Sequence, residues 1–470
     1  MFGAAIDQTL VASSLPAIAR DLGAVEQVPW IVVLYLVANT VAAPVYGRLG
    51  DAFGRQRMLL VALGFYGIGA TFCALAPSLP ALATARLVQG FGGGGLISLS
   101  VALIGEVVPP RERGRYQAWI AAIFSSASAL GPVLGGVLTE AFGWRSVFLM
   151  QLPLAIATAL LARARLGGAA PGSRRGFVFD WGGLLWFTLF VAPALLALDQ
   201  VRRLTPEALT IGAGLAVIAT LALILLIRQE RRAADPLLPL ALLGEPSVWR
   251  ANLLTACVAG AFVGAIAFLP IYLVAVRGLS AASAGAALLP LAACAGIGAL
   301  ISGAVLSRTG RNMLAPMVGL LVAGIAFLAI AAGLGGLGLP ALVGLLVLVS
   351  IGLGSSFPMV QVTVQVAVGR ERLGTATASV QFCRSLGAAT GTALLGAVVF
   401  GTLVAQGGDA APRFAALVQG GRGALADLTP AALALAEAEM RLAFRLAFAT
   451  AGALTLLAAW IATRVPLRRI

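Results

Sequence analysis

Few charged residues in this chain stand inside long apolar runs, and those few could do chemistry. Asp7 lies in AIDQTLVASSLPAIARDL and Arg86 in ARLVQGFGGGG. A charge at the middle of a membrane helix costs about 2.5–3.5 kcal/mol even on a lenient scale. Desolvation disfavours an ionised carboxyl, and a nearby guanidinium favours it. An acid moved between those environments can bind and release a proton near neutral pH. Asp7 is therefore the candidate proton site and Arg86 the cation that modulates it. Gln89, three residues after Arg86, shares its helix face. Glu140, at the outer end of another apolar run, is a second candidate proton acceptor or gate. The plainer alternatives are a buried Asp hydrogen-bonded to its neighbours and an Arg that ties two helices together.

Other chemistries lack their residues. The chain has no His, which removes imidazole metal sites and Ser–His catalysis. Cys73, Cys257, Cys294 and Cys383 lie in apolar stretches without paired spacing, and read as small buried hydrophobes. No nucleophile–base set or metal cluster is visible. The glycine run Gly92–Gly95 lacks the preceding strand and following Lys–Ser/Thr of a phosphate loop. Neither an enzyme nor a cofactor is expected. A net charge of +14 would suggest nucleic acid in a soluble protein. Here all 32 basic residues are Arg, as in a GC-rich coding bias, and they sit between apolar runs. They read as topology signals, and no nucleic-acid partner is expected.

These residues must be positioned by membrane helices. Hydrophobic residues make up 60% of the chain and charged residues 11%, against about 25% charged in soluble domains. Mean hydropathy is +0.99. A spanning helix needs about 20 mostly apolar residues. That window predicts an all-α integral membrane protein with fourteen spans, at about 1–19, 28–47, 58–77, 80–105, 115–138, 146–164, 180–198, 208–227, 249–274, 282–306, 313–334, 338–364, 374–402 and 443–463. The runs are too long and too uniform for barrel strands. With the N-terminus inside, the inner loops and tail hold twenty-one Arg and the short outer loops five, so both termini are expected in the cytoplasm. Arg86 and Arg384 fall within spans. Only six residues precede Asp7, so a start further upstream is expected, and no cleavable signal peptide is seen. The segment Thr429 to Phe444 reads as an amphipathic helix, with Thr429 as N-cap and Pro430 at N1.

The chain also repeats itself. GRQRML from Gly54 matches GRNML from Gly310, an offset of 256. RERG from Arg111 matches RERLG from Arg370, and LGPVLGG from Leu130 matches LGAATGT from Leu386. Three ordered matches predict two six-helix bundles, residues 1–165 and 249–470, joined by a linker, 166–248, with two extra spans packed outside. Parallel repeats of this kind place a substrate path between the halves.

Four motifs then carry a resemblance. GRLGDAFGRQRML, with Gly47, Asp51, Gly54 and Arg55, resembles the signature loop of the major facilitator superfamily. Asp51 is expected at a facing helix N-terminus, where the dipole favours an anion, and Arg55 is expected to pair with Glu106 as a conformational latch. The second half has Ser307 where Asp51 stands in the first. ARLVQGFGGGG is similar to spans linked to proton transfer in that superfamily. ALGPVLGG, with Gly131, Pro132, Gly135 and Gly136, resembles its exporters' Gly–Pro motif. Asp7, Thr9, Leu15 and Pro16 resemble the first span of its fourteen-helix drug:proton antiporter family.

That resemblance implies a proton-coupled exporter of lipophilic drugs in the cytoplasmic membrane, a monomer surrounded by lipid whose partners are small lipophilic substrates and protons. Export of a native lipid, glycolipid or metabolite is the alternative; a scaffold or channel would leave the acid and the latch unexplained. Asn39, Gln89, Phe124, Gln361, Phe382 and Arg384 are candidates to face the cavity, with Gln365, Gln381, Phe262 and Phe268 beside them.

Overall fold

The computed structural model describes the chain apart from residues 24–28, 166–176, 204–205, 234, 238–239, 280, 370–371, 407–413, 415–429, 468 and 470. Thr429, Arg174, Arg175, Arg370, Arg413, Arg422 and Arg468 thus lie outside the described residues.

The described residues fold as helices because an apolar run in oil must bond its own backbone. They are α1 (Phe2–Leu22), α2 (Pro29–Phe53), α3 (Arg55–Leu75), α4 (Leu79–Val107), α5 (Pro110–Phe142), α6 (Arg145–Leu149) and α7 (Gln151–Arg165). Next come α8 (Trp181–Arg203), α9 (Pro206–Glu230) and α10 (Leu240–Leu243). The rest are α11 (Pro246–Ala275), α12 (Ala281–Ala293), α13 (Ala295–Thr309), α14 (Leu314–Gly333), α15 (Leu339–Gly354), α16 (Ser356–Val368), α17 (Leu373–Ala405) and α18 (Pro430–Arg464). The turns at Gly54 and Gly310 both carry positive φ, 93° and 68°, at the same offset of 256. Glycine adopts that conformation without a Cβ penalty.

Among the described residues, twelve helical stretches are long and apolar enough to cross a bilayer, three of them made of consecutive elements, α6–α7, α12–α13 and α15–α16. Two segments expected to span are not among them. In α8 the apolar stretch Trp181–Ala197 is shorter, and α1 carries Asp7, Arg20 and Asp21 within 21 residues.

Apolar burial divides along the chain. One core gathers residues between Leu242 and Phe448 and on to Ala462, while two others lie within the first 162 residues. Glycines set the spacing at equivalent places. A Cβ at Gly131 would overlap Thr9 Oγ1, and one at Gly135 would stand 2.7 Å from Leu10 O, so α5 lies directly on α1. Gly387 and Gly391 meet Ala256 and Gly260 in the same way, laying α17 on α11. Gly136 has nothing within 4 Å, so the contact uses two of the motif's three glycines. Position 136 is one residue, about 100°, round the helix from 135.

The two groups touch at the ends that carry the 47–55 loop. Cβ atoms at Gly47 and Gly374 would each strike the other's carbonyl. Gln365 Nε2 donates to Val101 O at 3.1 Å. Gly303 lies against the backbone of Gly114. α8 and α9 cover one flank: Phe187, Phe190 and Val191 cluster with Val37 and Val41 of α2 and with Phe382 and Leu386 of α17. Arg48 of α2 pairs with Asp235, just past α9.

Candidate functional site

Asp7 is fully buried and belongs to a cluster of four polar side chains built by three helices, α1, α4 and α7. Arg86 of α4 donates from Nη1 to both carboxylate oxygens, at 3.0 and 2.7 Å. Gln151, the first residue of α7, donates from Nε2 to Oδ1 at 2.6 Å, and Gln89 reaches the same oxygen at 3.3 Å. Gln89 also accepts from Arg86 at 2.7 Å and donates to Gln151 Oε1 at 2.5 Å. The four side chains are at most 1% exposed.

The cation has support beyond the acid. Arg86 Nε donates to Ile31 O at 3.4 Å, and the guanidinium carbon stands 4.0 Å over the Tyr35 ring. A buried ion pair recovers its desolvation cost only when such further bonds satisfy it. Arg86 therefore keeps an amide, a carbonyl and an aromatic face if Asp7 moves away. The 3.6-residue period places Arg86 and Gln89 on one side of α4; Gly90 and Gly94 next to them admit the backbone of α2, and Gly93 admits the side chains of its Tyr35 and Asn39. Thr9, two residues from Asp7, donates to Ile6 O at 2.9 Å and to Ala127 O at 3.2 Å, which ties α1 to α5.

A second cluster lies at the loop. Asp51 accepts from Arg55 Nη2 at 2.6 Å, and Arg55 Nη1 donates to Glu106 at 2.5 Å. Across the seam, Asp51 accepts from the N–H groups of Gly374 and Thr375, at 3.1 and 3.3 Å, and from Thr375 Oγ1 at 3.4 Å. These are free donors of the first turn of α17, where a negative charge is favoured. Ser307, at the repeat-related position, is exposed and bonds only within its own helix, to Ala304 O.

Other candidates lie elsewhere. Glu140 is exposed at the C-terminal end of α5, apart from the Asp7 cluster, and Pro132 is exposed as well. Asn39 is buried on α2 beside Gly93, and its Nδ2 has no partner. Gln361 and Gln365 both donate to Thr377 Oγ1, at 3.0 and 3.4 Å, and so tie α16 to α17; only Gln365 also reaches across the seam, to Val101 O. Phe382, expected at the cavity, instead packs on α8, with ring centroids 5.2 Å from Phe187 and 5.9 Å from Phe190. Phe268 is core, and Phe262 packs on Phe357. Arg384 and Phe124 do meet across the two groups, 5.8 Å from guanidinium carbon to ring centroid.

Gln151 and Tyr35 were not singled out in the sequence. Gln151 reads there as the polar edge of an apolar run, and Tyr35 as one aromatic among many. The available signal was that Gln151 is the only side chain able to hydrogen-bond strongly between Met150 and Ala157.

At the C-terminal end of α1 Asp21 accepts from Trp144 Nε1 at 2.9 Å and from Arg145 Nη1 at 2.7 Å. Those bonds, the indole's first, hold its carboxyl below the usual range. No group of three or more His, Cys, Asp or Glu able to hold a metal occurs among the described residues.

Comparison with known proteins agrees with this geometry. A family model described as Major Facilitator Superfamily matches residues 1–392. An uncharacterized MFS-type transporter of Mycobacterium tuberculosis (strain H37Rv) is 35% identical over 396 residues, 84% of this chain and 57% of that protein. This chain thus spans less than two thirds of that relative's length. The multidrug transporter protein MdtP of Bacillus subtilis is 28% identical over 400 residues, covering 85% of this chain and 73% of that one. In three dimensions the chain is similar to the human organic anion transporter MFSD10, with TM-score 0.64 at 19% identity over 98% of this chain and 97% of that one.

Proposed function

Since this chain belongs to the major facilitator superfamily, we propose that it is a secondary transporter that exports lipophilic compounds in exchange for protons, by alternating access between two six-helix bundles. The observation that carries this reading is the buried Asp7–Arg86 pair, with both residues held by third parties. In the state seen here the carboxylate is paired and fully buried. When α1 moves off α4, Arg86 keeps Gln89, Ile31 O and Tyr35, while Asp7 loses its counter-charge and takes up a proton. Return of the pair expels it. Coupling follows because substrate and proton compete for the same open state.

The latch belongs to the same cycle. Asp51 on the α17 N-terminus, with Arg55 and Glu106 behind it, holds the loop side closed, and opening it exposes the opposite orientation. Gly131 and Gly135 let α1 and α5 move as one body, with Pro132 beside them. Glu140, at the outer mouth, is a way station for protons. The proposed arrangement adds α1 and α8 to the twelve long helices, giving fourteen spans as six, two and six over residues 1–165, 166–248 and 249–470. The arginine bias supports a cytoplasmic membrane location with both termini inside. The seam lies within one chain, which supports a monomer.

The test is uptake of lipophilic dyes into inverted vesicles bearing the protein, with and without an imposed proton gradient. Gradient-dependent uptake of dye is expected. Movement of a membrane lipid but of no dye would point instead to export of a native lipid by the same machinery. Uptake indifferent to the gradient would overturn the proton-coupled reading.

A further inference from the structure

The second group of helices carries an arginine in its apolar interior, and the stretch around it is poor in acids. Between Pro246 and Gly408 the chain holds a single acidic residue, Glu371. Arg384 lies eleven residues into α17, about 16 Å along the helix from its first residue, too far for an acid before that end to reach. Its Nη2 donates to Gln381 Oε1 at 2.5 Å, and its other neighbour across the seam is the Phe124 ring. None of the five ion pairs among the described residues includes it. Asp7, which could have balanced it, is engaged by Arg86.

A guanidinium does not shed its proton, so a charge held there needs a counter-charge or water. Its planar fork of donors suits a carboxylate. One side of the site supplies an amide that fixes the fork, and the other supplies an aromatic wall. A cationic substrate would meet net positive charge here.

We propose that Arg384 anchors the acidic group of a lipophilic anion, a carboxylate on an apolar body that lies against Phe124. This rests on the transport reading above and narrows its substrate class.

The test uses the purified full chain and three fluorescent probes that share one body: 1-pyrenebutyrate, 1-pyrenebutyramide and 1-pyrenebutylamine. Wild type is expected to bind the carboxylate about tenfold more tightly than the amide, and the ammonium least, as the loss of one charge-assisted contact implies. Arg384→Gln brings the carboxylate to the level of the amide and leaves the amide unchanged. Arg384→Lys keeps part of the preference, and serves if Arg384→Gln fails to fold by its thermal midpoint. Equal binding of carboxylate and amide by wild type, a preference that survives Arg384→Gln, or no binding of any probe would each overturn the proposal. Dye uptake that follows the proton gradient without any carboxylate preference would overturn this inference and leave the transport reading standing. An Arg384-dependent preference with no gradient-driven transport would do the reverse.

Discussion

Asp7 has three donors within reach, and each does a different job. Arg86 supplies the charge, Gln151 the shortest amide contact, and Gln89 a link between the two. Arg86→Leu leaves a buried carboxylate without its cation, a change that costs about 3–5 kcal/mol. The expected result is a fall of several degrees in thermal midpoint together with loss of gradient-driven transport. Gln151→Leu removes one donor and leaves the Gln89 N–H groups only their longer contact to Asp7, at about 1–3 kcal/mol. It is expected to lower the midpoint by less and to slow transport without abolishing its dependence on the gradient. A Gln151→Leu protein with wild-type midpoint and rate would remove this residue from the account. Asp7, Arg86 and Gln89 were legible in the sequence because a charge in an apolar run is costly enough to demand a reason. Gln151 was not, because a glutamine at a run's edge costs nothing there, and only the packing of α7 on α1 and α4 shows that this edge is interior.

The contact of α5 with α1 depends on hydrogen-sized side chains at two positions and not at a third. Gly131→Leu and Gly135→Leu would each drive a side chain into α1, at Thr9 and at Leu10. Overpacking of this kind costs about 1–3 kcal/mol. Gly136→Ala faces open space and is expected to leave the midpoint unchanged. Equal effects at 131 and 136 would contradict the helical phase described here. The C-terminal end of α1 yields a pH prediction. Folding lowers the Asp21 pKa, so its tie to Trp144 and Arg145 is complete above the unfolded value of about 3.9 and fades as pH falls through the folded one. Asp21→Asn should therefore differ from wild type by the same small amount at pH 6 and pH 8. Asp21 and Arg145 are both more than 40% exposed, and such pairs contribute little. Most helices were legible, since apolar runs of twenty residues have few alternatives. Helical phase was harder to read. Gly136 and Phe382 share their motifs with residues that face inward, yet Gly136 meets open space and Phe382 faces the linker helix, and no local residue type announces that difference.

The two helix groups meet where the 47–55 loop lies, and that part of the contact is polar: Asp51 stands on the first turn of α17, with glycines in backbone contact beside it. Asp51→Asn removes the charge from that helix end and should shift the population away from this state. In a protein whose four cysteines are replaced by serine, Thr377→Cys, now buried at the seam, should react with a water-soluble maleimide several-fold faster when Asp51→Asn is added. An unchanged rate would remove the latch. The 256-residue repeat made two related groups legible, but its Asp51-for-Ser307 asymmetry acquires meaning only in the fold, where one end of the repeat is braced across the seam and the other stands exposed. All of this serves one claim, that Asp7 carries the coupled proton. The most direct test compares two modes of transport in one preparation, accumulation driven by an imposed proton gradient and exchange of substrate across vesicles at equal pH. In Asp7→Asn, whose amide oxygen still accepts from Arg86 and Gln151, accumulation should vanish while exchange continues near the wild-type rate. Full gradient-driven accumulation by Asp7→Asn would contradict the account.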